Sequence, residues 1–141
     1  MTGHGPWPLI SVERVLELHD AAIEVKGGMP GVRDHGLVES AVANARNASL
    51  YALNEEEDPV VIAAYLLYYL ALNHAFLDGN KRVAWMAAEE QLRLAGVRVV
   101  APTDDAEQLV LGVVAKRFEP RDVYDWLIAH LTGYYPEASE G

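Results

Sequence analysis

Apolar residues recur along most of this chain at intervals of three and four, the spacing of helices that bury one face. After Ser11, the stretch VERVLELHDAAIEV puts Val12, Val15, Leu16, Ala22 and Ile23 on one stripe. Ser11 is a good side-chain cap, and Glu13 sits in the electropositive first turn. Gly27 and Gly28 end that helix. Residues 27–36 (GGMPGVRDHG) hold four of the chain's eleven glycines and a proline, which predicts a loop with unusual backbone angles. Helical spacing resumes over Leu37–Asn47. The acidic run Glu55–Asp58 reads as a solvated linker, and Asp58-Pro59 is a strong helix start. The thirteen residues Val60–Leu72 are apolar on every side. Such a helix must be surrounded by others, so it belongs at the centre of a bundle.

A second long helix is predicted over about Asn80–Ala95, with Gly96 as its terminating residue. Val97–Ala101 (VRVVA) is the one strand-like piece. Thr103 is expected to cap a helix running through DDAEQLVLGVVAKR, and Pro120 to open a last helix reaching Leu131. The tail 132–141 is expected to fray. No internal repeat interrupts the pattern. The expectation is a single all-α domain over residues 1–141: a compact helical bundle with a central buried helix and at most one short β or extended segment.

Composition narrows the function classes. The chain has 141 residues, 51% hydrophobic and 23% charged, an ordinary globular balance. It has no cysteine, so no disulfide framework and no thiolate ligand or nucleophile is available, which suits a reducing cytoplasm. The N-terminus lacks the basic and apolar regions of a signal peptide. The thirteen-residue apolar run is too short to span a bilayer, so no membrane partner is expected. A net charge of −10 disfavours nucleic acid as a partner.

The stretch between the two central helices, Asn73-His74-Ala75-Phe76-Leu77-Asp78-Gly79-Asn80-Lys81-Arg82, carries the candidate chemistry. His74 follows a buried helix whose negative end helps an imidazole to accept a proton. Phe76 is expected to pin the loop into the core. Asp78 supplies a hard oxygen suited to magnesium. Gly79 and Asn80 can take left-handed angles and form a nest of N–H groups that leads into a helix N-terminus. Lys81 and Arg82 add two cations there. A base, a metal ligand and a phosphate cradle within nine residues point to phosphate chemistry on a nucleotide.

HAFLDGNKR also resembles the Fic/Doc signature HxFx(D/E)GN(G/K)R at all seven specified positions. An LHD near the end of the first helix, the stretch GVRDHGLVESA and the LNH before the signature are similar to the death-on-curing (Doc) branch. The resemblance covers about residues 10–130. It implies that His74 is the general base acting on a target hydroxyl, and that Asp78 helps to hold magnesium. It implies that Gly79, Asn80, Lys81 and Arg82 contact the phosphates of ATP, and that residues 27–36 form a flap on the target side. Arg33 and Asp34 are candidate contacts to nucleotide or target. Lys81, and Trp85 where many relatives carry a second arginine, are the Doc-like choices. They imply a toxin that transfers the terminal phosphoryl group of ATP to a translation factor, elongation factor Tu, and that is restrained by a separate antitoxin protein. Gly79 follows the wider Fic pattern, which keeps nucleotidyl transfer open, and the missing second arginine keeps an inert Fic-fold binding module open. The nearest match to the family's self-inhibitory motif, Thr103 to Glu107, fails at its last position.

Other features take bland explanations. Tyr65, Tyr68 and Tyr69 lie at helical spacing in an apolar run and read as core rather than a base-stacking platform. His4, His19, His35 and His130 read as structural, although His19 and His35 fall in family-like segments. Trp85 reads as core or as a cover over the nucleotide pocket.

Overall fold

Ser11 accepts a hydrogen bond from the Arg14 N–H at 3.0 Å and starts the first helix, α1 (Val12–Lys26), which Gly27 closes with its N–H on the Ile23 carbonyl at 2.7 Å. The computed structural model describes residues 8–52 and 58–132, and the side chains of 49–52 are not described. Among the described residues, six helices and two short strands run in the order α1, α2 (His35–Ala52), α3 (Pro59–Leu72), α4 (Asn80–Leu94), β1 (Arg98–Val99), α5 (Thr103–Val114), α6 (Pro120–Ala129) and β2 (Leu131–Thr132). His4, the signal-peptide expectation, most of the acidic linker and residues 133–141 lie outside the described residues.

The helix that is apolar all round is central. α3 packs against α2, α4, α5 and α6. Ile62, Ala63, Ala64, Leu66, Leu67 and Ala71 are fully buried. Asp58 caps it through the Val60 N–H at 2.8 Å, with proline in the first turn. Tyr65, Tyr68 and Tyr69 are half-buried and packed on the core, with Tyr68 edge-on to Tyr69. Among the described residues no helix is long and apolar enough to cross a membrane.

α2 runs on to Ala52 rather than ending at Asn47, and four further boundaries differ from expectation, each for a local reason. α2 begins at His35 rather than Leu37, because the Asp34 carboxylate accepts the Gly36 N–H at 2.9 Å and caps the helix inside the glycine-rich stretch. Thr103 is not a cap: it is the first helical residue of α5, Pro102 stands at the cap position, and no side chain bonds the turn. α5 ends at Val114 rather than Arg117. Lys116 turns left-handed at φ 64°, and the Arg117 N–H returns to the Gly112 carbonyl at 2.8 Å. α6 stops at Ala129, and Leu131–Thr132 pairs antiparallel with Arg98–Val99, so the expected extended piece has a partner strand.

Candidate active site at the head of α4

The loop between α3 and α4 is held from three sides. From within, the Asn80 side chain closes it: its carbonyl oxygen accepts the Phe76 N–H at 3.0 Å and its amide donates to the Phe76 carbonyl at 2.9 Å. Phe76 is 2% exposed and anchors the loop in the core, as its residue type suggests. From α1, the His19 ring stacks on Phe76 with centroids 3.9 Å apart, and its Nε2 lies 2.7 Å from the Asp78 carbonyl oxygen. A carbonyl only accepts, so Nε2 carries the proton.

From the glycine-rich side, Val32 forms an antiparallel bridge with Phe76. The Arg33 and Asp34 N–H groups both donate to the Ala75 carbonyl, at 2.7 and 3.0 Å, and Leu77 donates to Gly31 at 3.2 Å. The Arg33 guanidinium forks onto the His74 carbonyl, with Nε at 2.9 Å. That bond braces His74, a non-glycine residue held left-handed at φ 53°. Arg33 and Asp34 therefore both have structural work, on His74 and on the start of α2.

Asp78 joins the glycine-rich stretch to the loop. Its carboxylate accepts the Gly79 N–H at 2.8 Å and the Met29 N–H at 3.1 Å. These backbone donors, Met29 first, hold the carboxyl below the ordinary range, and the charges of Arg82 and Lys81 act in the same direction. Asp78 is ionised at neutral pH. Gly28 must be glycine, because a Cβ there would stand 2.8 Å from the Asp78 carboxylate at a φ of 122°.

α4 starts without a side-chain cap: Gly79 at the cap position has φ 79° and no side chain to offer. The first turn holds no acid and instead carries Lys81 and Arg82. Cations at the positive end of a helix dipole oppose the helix, and first-turn N–H groups need acceptors. Both conflicts are relieved by one anion. Arg82 is half-buried and reaches the Ala22 carbonyl at 3.4 Å, and Lys81 is exposed.

This helix end opens into a cavity of about 840 Å³ between α1, α4, β1 and α5, whose wall includes Asp78 to Arg82, Trp85, Met86, Glu89, Val99, Thr103, Glu107 and Val110. Arg82, Trp85, Met86 and Glu89 share one face of α4 at positions i, i+3, i+4 and i+7. Trp85 is half-buried and stands edge-on to Trp126, with centroids 5.9 Å apart. Glu89 is pushed above the ordinary carboxyl range by desolvation, although Arg93 draws it back. His74, Phe76, Arg33 and Asp34 do not line the cavity. Among the described residues Glu107 makes no ion pair, and no three His, Asp or Glu side chains cluster as a metal site.

His19 is the site residue that sequence reasoning missed. A single histidine in an amphipathic helix looks structural, and only its fall within the LHD segment marked it. His130 matches expectation: it stacks on Trp126, with centroids 3.7 Å apart, and its Nδ1 meets the Trp126 carbonyl at 2.8 Å.

An all-helical domain with this loop at the head of its second central helix defines a class, and the comparisons agree with it. The sequence profile of the Fic/DOC family matches residues 9–92, more than half of the chain. The chain belongs to the Fic/Doc family. It is 38% identical over 117 residues to a protein of Mycolicibacterium smegmatis named Toxin Doc, covering 82% of this chain and 86% of that one. It is 34% identical over 118 residues to the Protein kinase doc of Escherichia phage P1, covering 84% and 91%.

Proposed function

We propose that the chain is the toxin of a toxin–antitoxin pair, a Doc-like transferase that moves the terminal phosphoryl group of ATP to a hydroxyl of a protein target, elongation factor Tu, and so arrests translation. The observation that carries the phosphate chemistry is the head of α4, an uncapped helix N-terminus that bears Lys81 and Arg82 and opens into the cavity. The names of the two relatives, a toxin and a protein kinase, support the toxin reading and a kinase-type transfer; the elongation factor target rests on the resemblance of the signature and its flanks to the Doc branch.

His74 would take the proton from the acceptor hydroxyl as that oxygen bonds to the terminal phosphorus. The bond from that phosphorus to its bridging oxygen breaks, and ADP leaves with the electron pair. Lys81, Arg82 and the first-turn N–H groups neutralise charge on the phosphates. Asp78, ionised and exposed, is a hard carboxylate that would help to hold magnesium brought in with ATP. The ion would supply charge neutralisation to the phosphates.

Gly79 is the feature that favours nucleotidyl transfer as a second reading, since it follows the wider Fic pattern. Its packing gives it another reason to be glycine. At φ 79°, a Cβ would press to 3.3 Å from Ile23 and 3.4 Å from His19 Nε2. Lys81 and Trp85 then leave phosphoryl transfer as the better reading. The antitoxin is expected to lay an amphipathic helix against the cavity, where Val25 and Leu111 are exposed at 78% and 40%.

Incubation with elongation factor Tu and ATP labelled at either the γ or the α phosphate tests this proposal. Label transferred from γ alone, and lost in His74→Ala, is the expected result. Label from α would establish nucleotidyl transfer, and no label from either would support the inert module.

A further inference from the structure

We infer that His19 is a positioning residue for the phosphate site: it fixes the orientation of the Asp78–Gly79 peptide and so keeps a carbonyl oxygen out of the anion cradle. The inference rests on the reading of the α4 head as a phosphate site and names a residue of α1 that governs it.

His19 is 1% exposed, so its position is set by packing rather than by solvent. Its ring lies on Phe76 at an interplanar angle of 14°, and its Nε2 is 2.7 Å from the Asp78 carbonyl. In a trans peptide the C=O and N–H point in opposite directions. With the Asp78 carbonyl drawn inward onto His19, the Gly79 N–H must point outward, and there it meets the Asp78 carboxylate at 2.8 Å. That turns the carbonyl dipole away from the head of α4, where the Asn80, Lys81 and Arg82 N–H groups and the two cations stand beside the Asp78 carboxylate.

Gly79 makes this arrangement reversible. Glycine tolerates either sign of φ, so the peptide plane before it can rotate where another residue's could not. Without the His19 donor, the Asp78 carbonyl loses its protein partner at a part-buried site, and rotation toward water relieves it. The rotated carbonyl then faces the cradle and repels phosphate. His19 thus acts at a distance from the reacting atoms, through a single hydrogen bond.

His19→Phe retains the stacking on Phe76 and removes the donor, and His19→Gln restores a donor near the Nε2 position. Binding of ATP with magnesium, measured by titration calorimetry well below each variant's melting midpoint, should weaken at least ten-fold in His19→Phe. It should return to within about three-fold of wild type in His19→Gln, a rescue that a purely space-filling role would not produce. Equal binding by wild type and His19→Phe would overturn the inference.

Two NMR readouts are independent of nucleotide. The ¹⁵N spectrum of wild-type His19 should show the proton on Nε2, and the Gly79 amide shift should move in His19→Phe. A proton on Nδ1 alone, or an unmoved Gly79 amide, would also overturn it. If wild type binds no nucleotide, the proposed function fails. The NMR results still decide the role of His19.

Discussion

Two hydrogen bonds between the Asn80 side-chain amide and the Phe76 backbone, one accepted and one donated by Asn80, close the turn and make the loop a rigid object before any ligand arrives. Replacing Asn80 by alanine leaves both Phe76 peptide groups unpaired in a part-buried setting. At about 1 kcal/mol for each bond, Asn80→Ala should lower stability by about 2 kcal/mol in urea denaturation, with an unchanged m-value. A change under about 0.5 kcal/mol would show that the clamp contributes little. The signature makes Asn80 recognisable as a residue of the site, but spacing alone does not separate a phosphate ligand from a brace. Its backbone N–H, not its side chain, is what remains for an anion. Arg33 and Asp34 pose the same problem: polar residues in a glycine-rich loop read as free contacts, while their partners, the His74 carbonyl and the Gly36 N–H, lie elsewhere in the fold or two residues ahead.

Among the elements, α1 and α4 form the frame of the site, and an ion pair links them. Glu90 on α4 receives Arg14 Nε of α1 at 2.8 Å and Arg93 of its own helix at 2.7 Å. Arg14 first, then Arg93, holds Glu90 below the ordinary glutamate range. A depressed carboxyl pKa means that the stabilisation is fully present above the unfolded value, about 4.3, and is lost as pH falls through the lower folded value. Glu90→Gln should lower the melting midpoint by a few degrees at neutral pH, and the difference should vanish in acid. A difference that persists well below pH 4 would point to packing instead. Element positions were largely legible because caps are local: Ser11, Gly27, Asp58 and Gly96 mark ends from their side chains or their lack of one. Thr103 and Arg117 misled for a related reason. A threonine after proline looks like a cap, and the turn at Lys116 depends on a left-handed residue that carries no glycine signal.

At the scale of the molecule, an acidic chain of net charge −10 concentrates two cations at one helix end, beside a cavity of about 840 Å³. The centrality of α3 followed from hydropathy alone, since a helix without a polar face has no surface position. The cavity did not follow, because α1, β1 and α5 meet α4 across distances that no local pattern encodes. Under the proposed function, a nucleotide would lie along α4 with its phosphates at Arg82 and extend toward Glu89, seven residues or about 10 Å further on. The most direct test of the account is electron density for a non-hydrolysable ATP analogue with magnesium. The predicted result places the terminal phosphate at Lys81, Arg82 and the first N–H groups of α4, nearest to His74, with Asp78 on the metal and the nucleoside along Trp85 and Met86. An α-phosphate facing His74, or a nucleotide bound away from the head of α4, would contradict it.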